Sequence, residues 1–228
     1  VSPRRVPDLR LGELDGLIHS KSVVPTTVEF VDIAGLVKGA AQGEGLGNQF
    51  LGNIRETKAI IHVVRCFDDE NVVHVDGHPD PARDCETIDV ELGLADLEAV
   101  TKRADRVRRV AKSGDKVARA EFEFFEALGE HLSSGQPARA FEVPDAMLAT
   151  FNEAHLLTAK PLLYVANVDE VGLADANAYC RALEEFAAAS SSEVVRICGK
   201  VEAELSELDD EDKREFLADL GIEEPGLN

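Results

Sequence analysis

The chain has 228 residues, 44% of them hydrophobic, and carries 24 Lys and Arg against 44 Asp and Glu, a formal net charge of −20. That is apolar material for one good core or two modest ones. The charge opposes a general affinity for DNA, RNA or anionic membrane, while leaving room for a local basic patch.

No apolar run approaches the roughly 18 residues of a membrane span. The opening VSPRRVPDLRLGELDG lacks the apolar core of a secretion signal. Cys66, Cys85, Cys180 and Cys198 show no C-x-x-C pairing and read as free, mostly buried thiols of a reducing compartment. A soluble cytoplasmic protein with no membrane or DNA partner is the expectation.

In chain order, residues 27–32 (TVEFVD) read as a buried strand. The glycine-rich run DIAGLVKGAAQGEGLGNQFL follows, and residues 46–57 are expected to form a crossover helix. Residues 59–67 (AIIHVVRCF) read as a second strand, after which the strand signal disappears until residue 160. Residues 86–112 place Ile88, Leu92, Leu94, Leu97, Val100, Ala104, Val107 and Val110 at helical spacing. After Ser113-Gly114-Asp115, residues 117–132 carry a second stripe at Phe122, Phe125, Ala127 and Leu128. Two amphipathic helices joined by a tight turn predict an antiparallel hairpin, closed by SSGQPAR at residues 133–139.

A short helix is predicted over residues 144–157. Residues 160–167 (KPLLYVAN) and 193–198 (EVVRIC) are the last two strands, separated by a helix over 175–189 with Asp175 as its N-cap. The tail, residues 202–220, is acidic and reads as helical. Strands alternating with helices predict an α/β fold with a parallel, doubly wound sheet. Residues 1–84 and 158–228 would build it, and 85–157 would form a helical coiled-coil arm inserted into it.

The glycine-rich run carries the functional signal. An Asp-x-x-Gly at the carboxyl end of a parallel strand sits where open α/β sheets bind ligands. In P-loop nucleotidases the strand-end carboxylate helps hold Mg²⁺ and the glycine amide can meet the terminal phosphate, the parts Asp32 and Gly35 would play here. Gly39, Gly43, Gly45 and Gly47 leave the following loop free to order around that phosphate and relax without it.

This run, with NIRETKAIIHVVRCFDDENVVHV, AFEVPDAMLATFNEAHLLTAKPLLYVANVDE and ELSELDDEDKREFLADLGIEEPGLN, resembles the YchF group of Obg-like ATPases among the translation-factor-related P-loop NTPases. The resemblance implies a nucleotide-binding domain, the inserted coiled coil and a C-terminal TGS domain, with ATP as substrate, Mg²⁺ as cofactor and a ribosomal partner. Related GTPases read the base with Asn-Lys-x-Asp; here the matching residues are Asn167-Val168-Asp169-Glu170. Glutamate is one methylene too long for the usual pairing with guanine, and Val168 cannot stack a lysine stem on the base. Asn167 can still bond an adenine amino group, so ATP is expected over GTP, with backbone groups of Ile197, Cys198 and Gly199 along the base. Leu36 stands where many GTPases carry the water-orienting glutamine. His74 is the candidate replacement, imidazole being a common water-orienting base.

No G-x-x-x-x-G-K-[ST] cradle is found; Gly199-Lys200 is followed by Val201. The sheet is therefore expected to be incomplete, the chain to lack the P-loop and TGS segments as a truncated product, and ATP binding and turnover alone to be very weak. The alternative is a non-catalytic remnant that binds ribosomes or proteins through its arm. Residues 102–119 carry eight basic side chains against Asp105 and Asp115, with Arg106, Arg108 and Arg109 as candidate RNA contacts. The run lacks aromatic residues for stacking, which argues against base-specific reading.

Overall fold

A computed structural model describes residues 2–6, 8–33 and 47–219. Strand β1 (Ser2–Arg5) pairs antiparallel with β2 (Thr27–Phe30), Ser2 opposite Phe30, as a separate two-stranded sheet. Helix α1 (Leu9–Ile18) lies between them, N-capped by Asp8, which accepts the Arg10 N–H. This corrects the expectation for residues 27–32. Among the described residues the strand is exposed along its length and pairs on one edge only, antiparallel with Ser2–Arg5, not within the parallel sheet.

Helix α2 (Gly47–Glu56) leads to β3 (Ile60–Arg65), which pairs in parallel with β4 (Leu162–Asn167), which pairs in parallel with β5 (Glu193–Ile197). Between β3 and β4 the chain leaves the sheet as α3 (Pro81–Ala111) and returns as α4 (Lys116–Ser133). Helix α3 starts at Pro81 rather than Glu86: Asp80 caps it by accepting the Arg83 N–H at 3.2 Å, and proline suits a first turn whose N–H would go unpaired. Gly114, at φ +94, makes the turn, and Asp115 caps α4 by accepting the Val117 and Ala118 amides at 2.9 Å. Val100 and Ala104 pack on Phe124, Phe125, Leu128 and Leu132, so the hairpin has its own core.

The short helix expected over 144–157 is a 3₁₀ turn (Asp145–Met147) running into α5 (Leu148–Glu153). After β4 come α6 (Glu170–Ala174) and α7 (Ala178–Ala189). The N-cap of α7 is Asn177, not Asp175, which instead closes α6. The tail divides into α8 (Gly199–Glu207) and α9 (Asp210–Asp219), with Asp209 accepting the Glu211 and Asp212 amides at the break. All four cysteines are buried free thiols, as expected.

One face of the sheet, with Val64, Tyr164 and Ala166, packs on Cys180, Leu183 and Ala187 of α7 and Cys85 of α3. A second cluster joins Leu51 and Ile54 of α2 to Leu92 and Ala95 of α3 and to Leu157, with Ile33 against it. At that junction Asp96 of α3 is wholly buried. Its Oδ1 accepts the Leu157 N–H at 2.8 Å; its Oδ2 accepts the Thr158 N–H and hydroxyl, each at 2.7 Å.

His62 of β3 stacks against buried Tyr164, ring centres 5.6 Å apart. Burial pulls its pKa down to about 4, opposed in part by the nearby Asp84 carboxylate. Between pH 6.5 and 4 the unfolded imidazole takes a proton that the folded one refuses, so stability falls with pH through that window. The expected loss from pH 7 to pH 4.5 is about 2–3 kcal/mol. Urea unfolding of the parent and of His62→Gln at both pH values should show the parent's stability dropping by that much more than the variant's.

Candidate functional site

Asn167 is the last residue of β4, level with Arg65 of β3 and Ile197 of β5. The three strand ends are stitched where they leave the sheet: Cys66 N–H donates to Asn167 O, and Val168 N–H to Ile197 O, both at 2.8 Å. The Asn167 side chain then crosses to the next strand, its Oδ1 accepting the Gly199 N–H at 3.0 Å. A Cβ at position 199 would come within 3.3 Å of that oxygen, so glycine keeps the clasp close. Oδ1 keeps a second lone pair and Nδ2 its N–H donors, so the held amide still has both kinds of group to offer a ligand.

Beside this clasp Glu170 Oε1 meets Lys200 Nζ at 2.8 Å, joining the starts of α6 and α8. The Glu170 carboxylate raises the Lys200 pKa. Lys200 was invisible to motif reading because only the pairing of β4 with β5 brings it to Glu170. Val168 and Cys198 are 2% exposed and belong to the core, so what they can offer a ligand is backbone. Asp169 caps α6 by accepting the Gly172 N–H at 2.7 Å. Asn177 ties α7 to the end of β3, donating to Cys66 O at 2.7 Å and accepting the Cys180 N–H at 2.9 Å.

A second constellation lies after β3, where His74 is tucked in with 16% of its side chain exposed. Its neighbours Val73 and Val75 are each 92% exposed, an inversion of the usual polarity. His74 Nε2 faces Asp84 Oδ2 at 3.1 Å, and its Nδ1 accepts the Asp76 N–H at 3.2 Å. Ligand atoms of His74, Asp76 and Asp84 lie within 4.8 Å of one another, the spacing of a metal site. The donor set does not fit one. A metal on Nε2 would put the imidazole proton on Nδ1, against the Asp76 N–H, and Asp84 already carries the Arg83 guanidinium at 3.0 Å.

Asp32 is an exposed carboxylate just beyond β2, a strand of the two-stranded sheet and not of the one that ends at Asn167, and Ile33 packs on the α2–α3 cluster. Gly47 opens α2, while Gly35, Leu36, Gly39, Gly43 and Gly45 lie outside the described residues. A carboxylate of this kind can meet a Mg²⁺ ion through water, with substrate phosphates as the ion's direct ligands.

On the arm, several basic side chains are already engaged. Arg108 bonds Asp105 at 3.3 Å and covers the Phe122 ring at 5.2 Å, Arg119 bonds Glu123 at 2.9 Å, Lys102 bonds Glu98, and Arg103 donates to the Glu153 carbonyl. Among the described residues Arg106, Arg109, Lys112 and Lys116 have no acidic partner. They are the arm's available positive charge. No described helix is long and apolar enough to cross a membrane.

Residues 15–106 match the family described as 50S ribosome-binding GTPase. The chain is 50% identical over 225 residues to the ribosome-binding ATPase YchF of Bacillus subtilis (strain 168), an alignment taking in 98% of this chain and 62% of that protein. It is 49% identical over 223 residues to the protein of the same name from Escherichia coli O157:H7, covering 98% and 61%. The structure of the Schizosaccharomyces pombe YchF GTPase superposes with a TM-score of 0.84 at 31% identity, covering 97% of this chain and 61% of that one. The chain thus spans about three fifths of the length of the relatives it matches.

Proposed function

We propose that the chain, which resembles the YchF ribosome-binding ATPases over 98% of its length, is a member of that group and binds and hydrolyses ATP in the cytoplasm as a ribosome-associated switch. The observation that carries this reading is the Asn167–Gly199 clasp at the carboxyl ends of β4 and β5, the end of the sheet where α/β folds take their ligands. ATP preference over GTP rests on Glu170. Guanine's paired N–H donors need both oxygens of a carboxylate, and Lys200 holds one of them. Asp32 would hold Mg²⁺ through water, and that ion neutralises phosphate charge when bound. His74 serves as the group that orients the attacking water in place of Leu36.

A second reading, binding through the arm, is favoured by Arg106, Arg109, Lys112 and Lys116 on a chain of net charge −20. The two are compatible, because Ile33 and α2 pack on the same α3 helix that forms the arm, so a nucleotide-driven shift of α2 would reach it. One paired experiment separates them. ATP added to the ¹⁵N-labelled chain should move the Gly199 amide resonance, and ribosome co-sedimentation should weaken steeply with salt and drop about tenfold or more in Arg106→Glu/Arg109→Glu/Lys112→Glu. A Gly199 amide that stays put while ATP moves other amides of the chain removes the nucleotide reading of the clasp. Unchanged co-sedimentation of the triple variant removes the arm.

A further inference from the structure

His74 is held from both sides by a network that centres on a residue with no assigned role, Asp84 in the first turn of α3. We infer that Asp84 is the positioning residue for His74: its Oδ2 keeps the imidazole proton on Nε2 and leaves Nδ1 as the nitrogen that meets the attacking water. The inference rests on the water-orienting role given to His74 above and says how that role is prepared.

The Asp84 carboxylate is itself fixed. Its Oδ2 takes the Asp80 N–H at 3.2 Å as well as His74 Nε2 at 3.1 Å, and its Oδ1 takes Arg83 Nε and Nη2 at 3.2 and 3.0 Å. Arg83 Nη2 also donates to the His78 carbonyl at 2.8 Å, closing the circuit back onto the loop. The charged and titratable groups around the imidazole are therefore Asp84 and Arg83 from α3, Asp80 at its N-cap, Asp76 from the histidine's own loop, and His62 of β3 within electrostatic reach of Asp84. A carboxylate accepts and cannot donate, so the nitrogen facing it must carry the proton. Nδ1 reports the same tautomer independently, because it accepts a backbone N–H.

The two contacts differ in how easily they exchange. Asp84 is 21% exposed and multiply bonded, whereas Nδ1 is met by a single N–H two residues along, on Asp76, whose side chain is 60% exposed. A water that donates to Nδ1 displaces only that long contact while Nε2–H stays seated on Asp84. The division of labour is that of a carboxylate-oriented histidine base, with the two ring nitrogens in exchanged parts.

The test combines a spectroscopic signature with a thermodynamic cycle on the whole chain. In ¹H–¹⁵N spectra the parent should show a slowly exchanging, downfield His74 Nε2–H resonance. It should be lost in Asp84→Asn and restored in Asp84→Glu, with unchanged circular dichroism. ATP turnover should fall roughly tenfold or more in Asp84→Asn, KM staying within about twofold, and His74→Ala/Asp84→Asn should be no slower than His74→Ala alone. A Nε2–H resonance that survives Asp84→Asn overturns the positioning role, and so do losses that multiply in the double variant. His74→Ala with full turnover would instead remove the catalytic reading of His74, a different failure with a different signature.

Discussion

Replacing Asp96 by alanine is expected to cost the folded state about 3–5 kcal/mol, read from urea unfolding at neutral pH. The carboxylate is wholly buried and accepts three hydrogen bonds, all from residues 157 and 158 where the chain re-enters the sheet. Alanine leaves those donors facing apolar neighbours, and the Leu157 and Thr158 amides cannot swing out to water. The Thr158 hydroxyl matters twice, since it also accepts the Ala138 N–H at 2.9 Å and so ties in the loop that follows α4. Asp96→Asn keeps the shape and one acceptor, and should cost about half as much or less. A loss under about 1 kcal/mol for alanine would mean that water or a rearranged backbone replaces the carboxylate, and that Asp96 is not what holds the base of the arm.

The same residue shows what could and could not be read from the sequence. The hairpin was legible because Leu92, Leu97, Val100, Ala104, Phe125 and Leu128 repeat at helical spacing with nothing to mask the period. Asp96 sits one turn from both Leu92 and Val100, an acid on the buried stripe. That position was itself the signal that it needed buried donors. Strands β3, β4 and β5 were recognisable from their apolar, β-branched runs, but composition says nothing about partners. Residues 27–30 have the same composition and pair antiparallel in another sheet. Asp175 and Asn177 are both short polar residues before an apolar stripe, so the choice of cap turned on where α6 ends.

At the site, Asn167 and Glu170 stood out because they are close in sequence and fit a motif. Their partners did not, because Gly199 and Lys200 arrive from β5 by strand pairing. Asp84 was hidden for a related reason. It lies inside α3, and its tie to His74 closes only when the loop folds back onto the first turn of that helix.

His74→Ala should lower ATP turnover by about 100-fold or more while leaving the ATP Kd within about twofold. The reasoning starts from what the imidazole does at rest. Both ring nitrogens are occupied, and the flanking Val73 and Val75 stand in water. A ring so placed makes no ground-state contribution that binding would report, and its worth appears only when Nδ1 exchanges the Asp76 N–H for a reacting water. A Kd raised in step with the fall in kcat would show that His74 holds the nucleotide rather than the water. Unaltered turnover would return His74 to a purely structural part, that of fastening its loop to the start of α3.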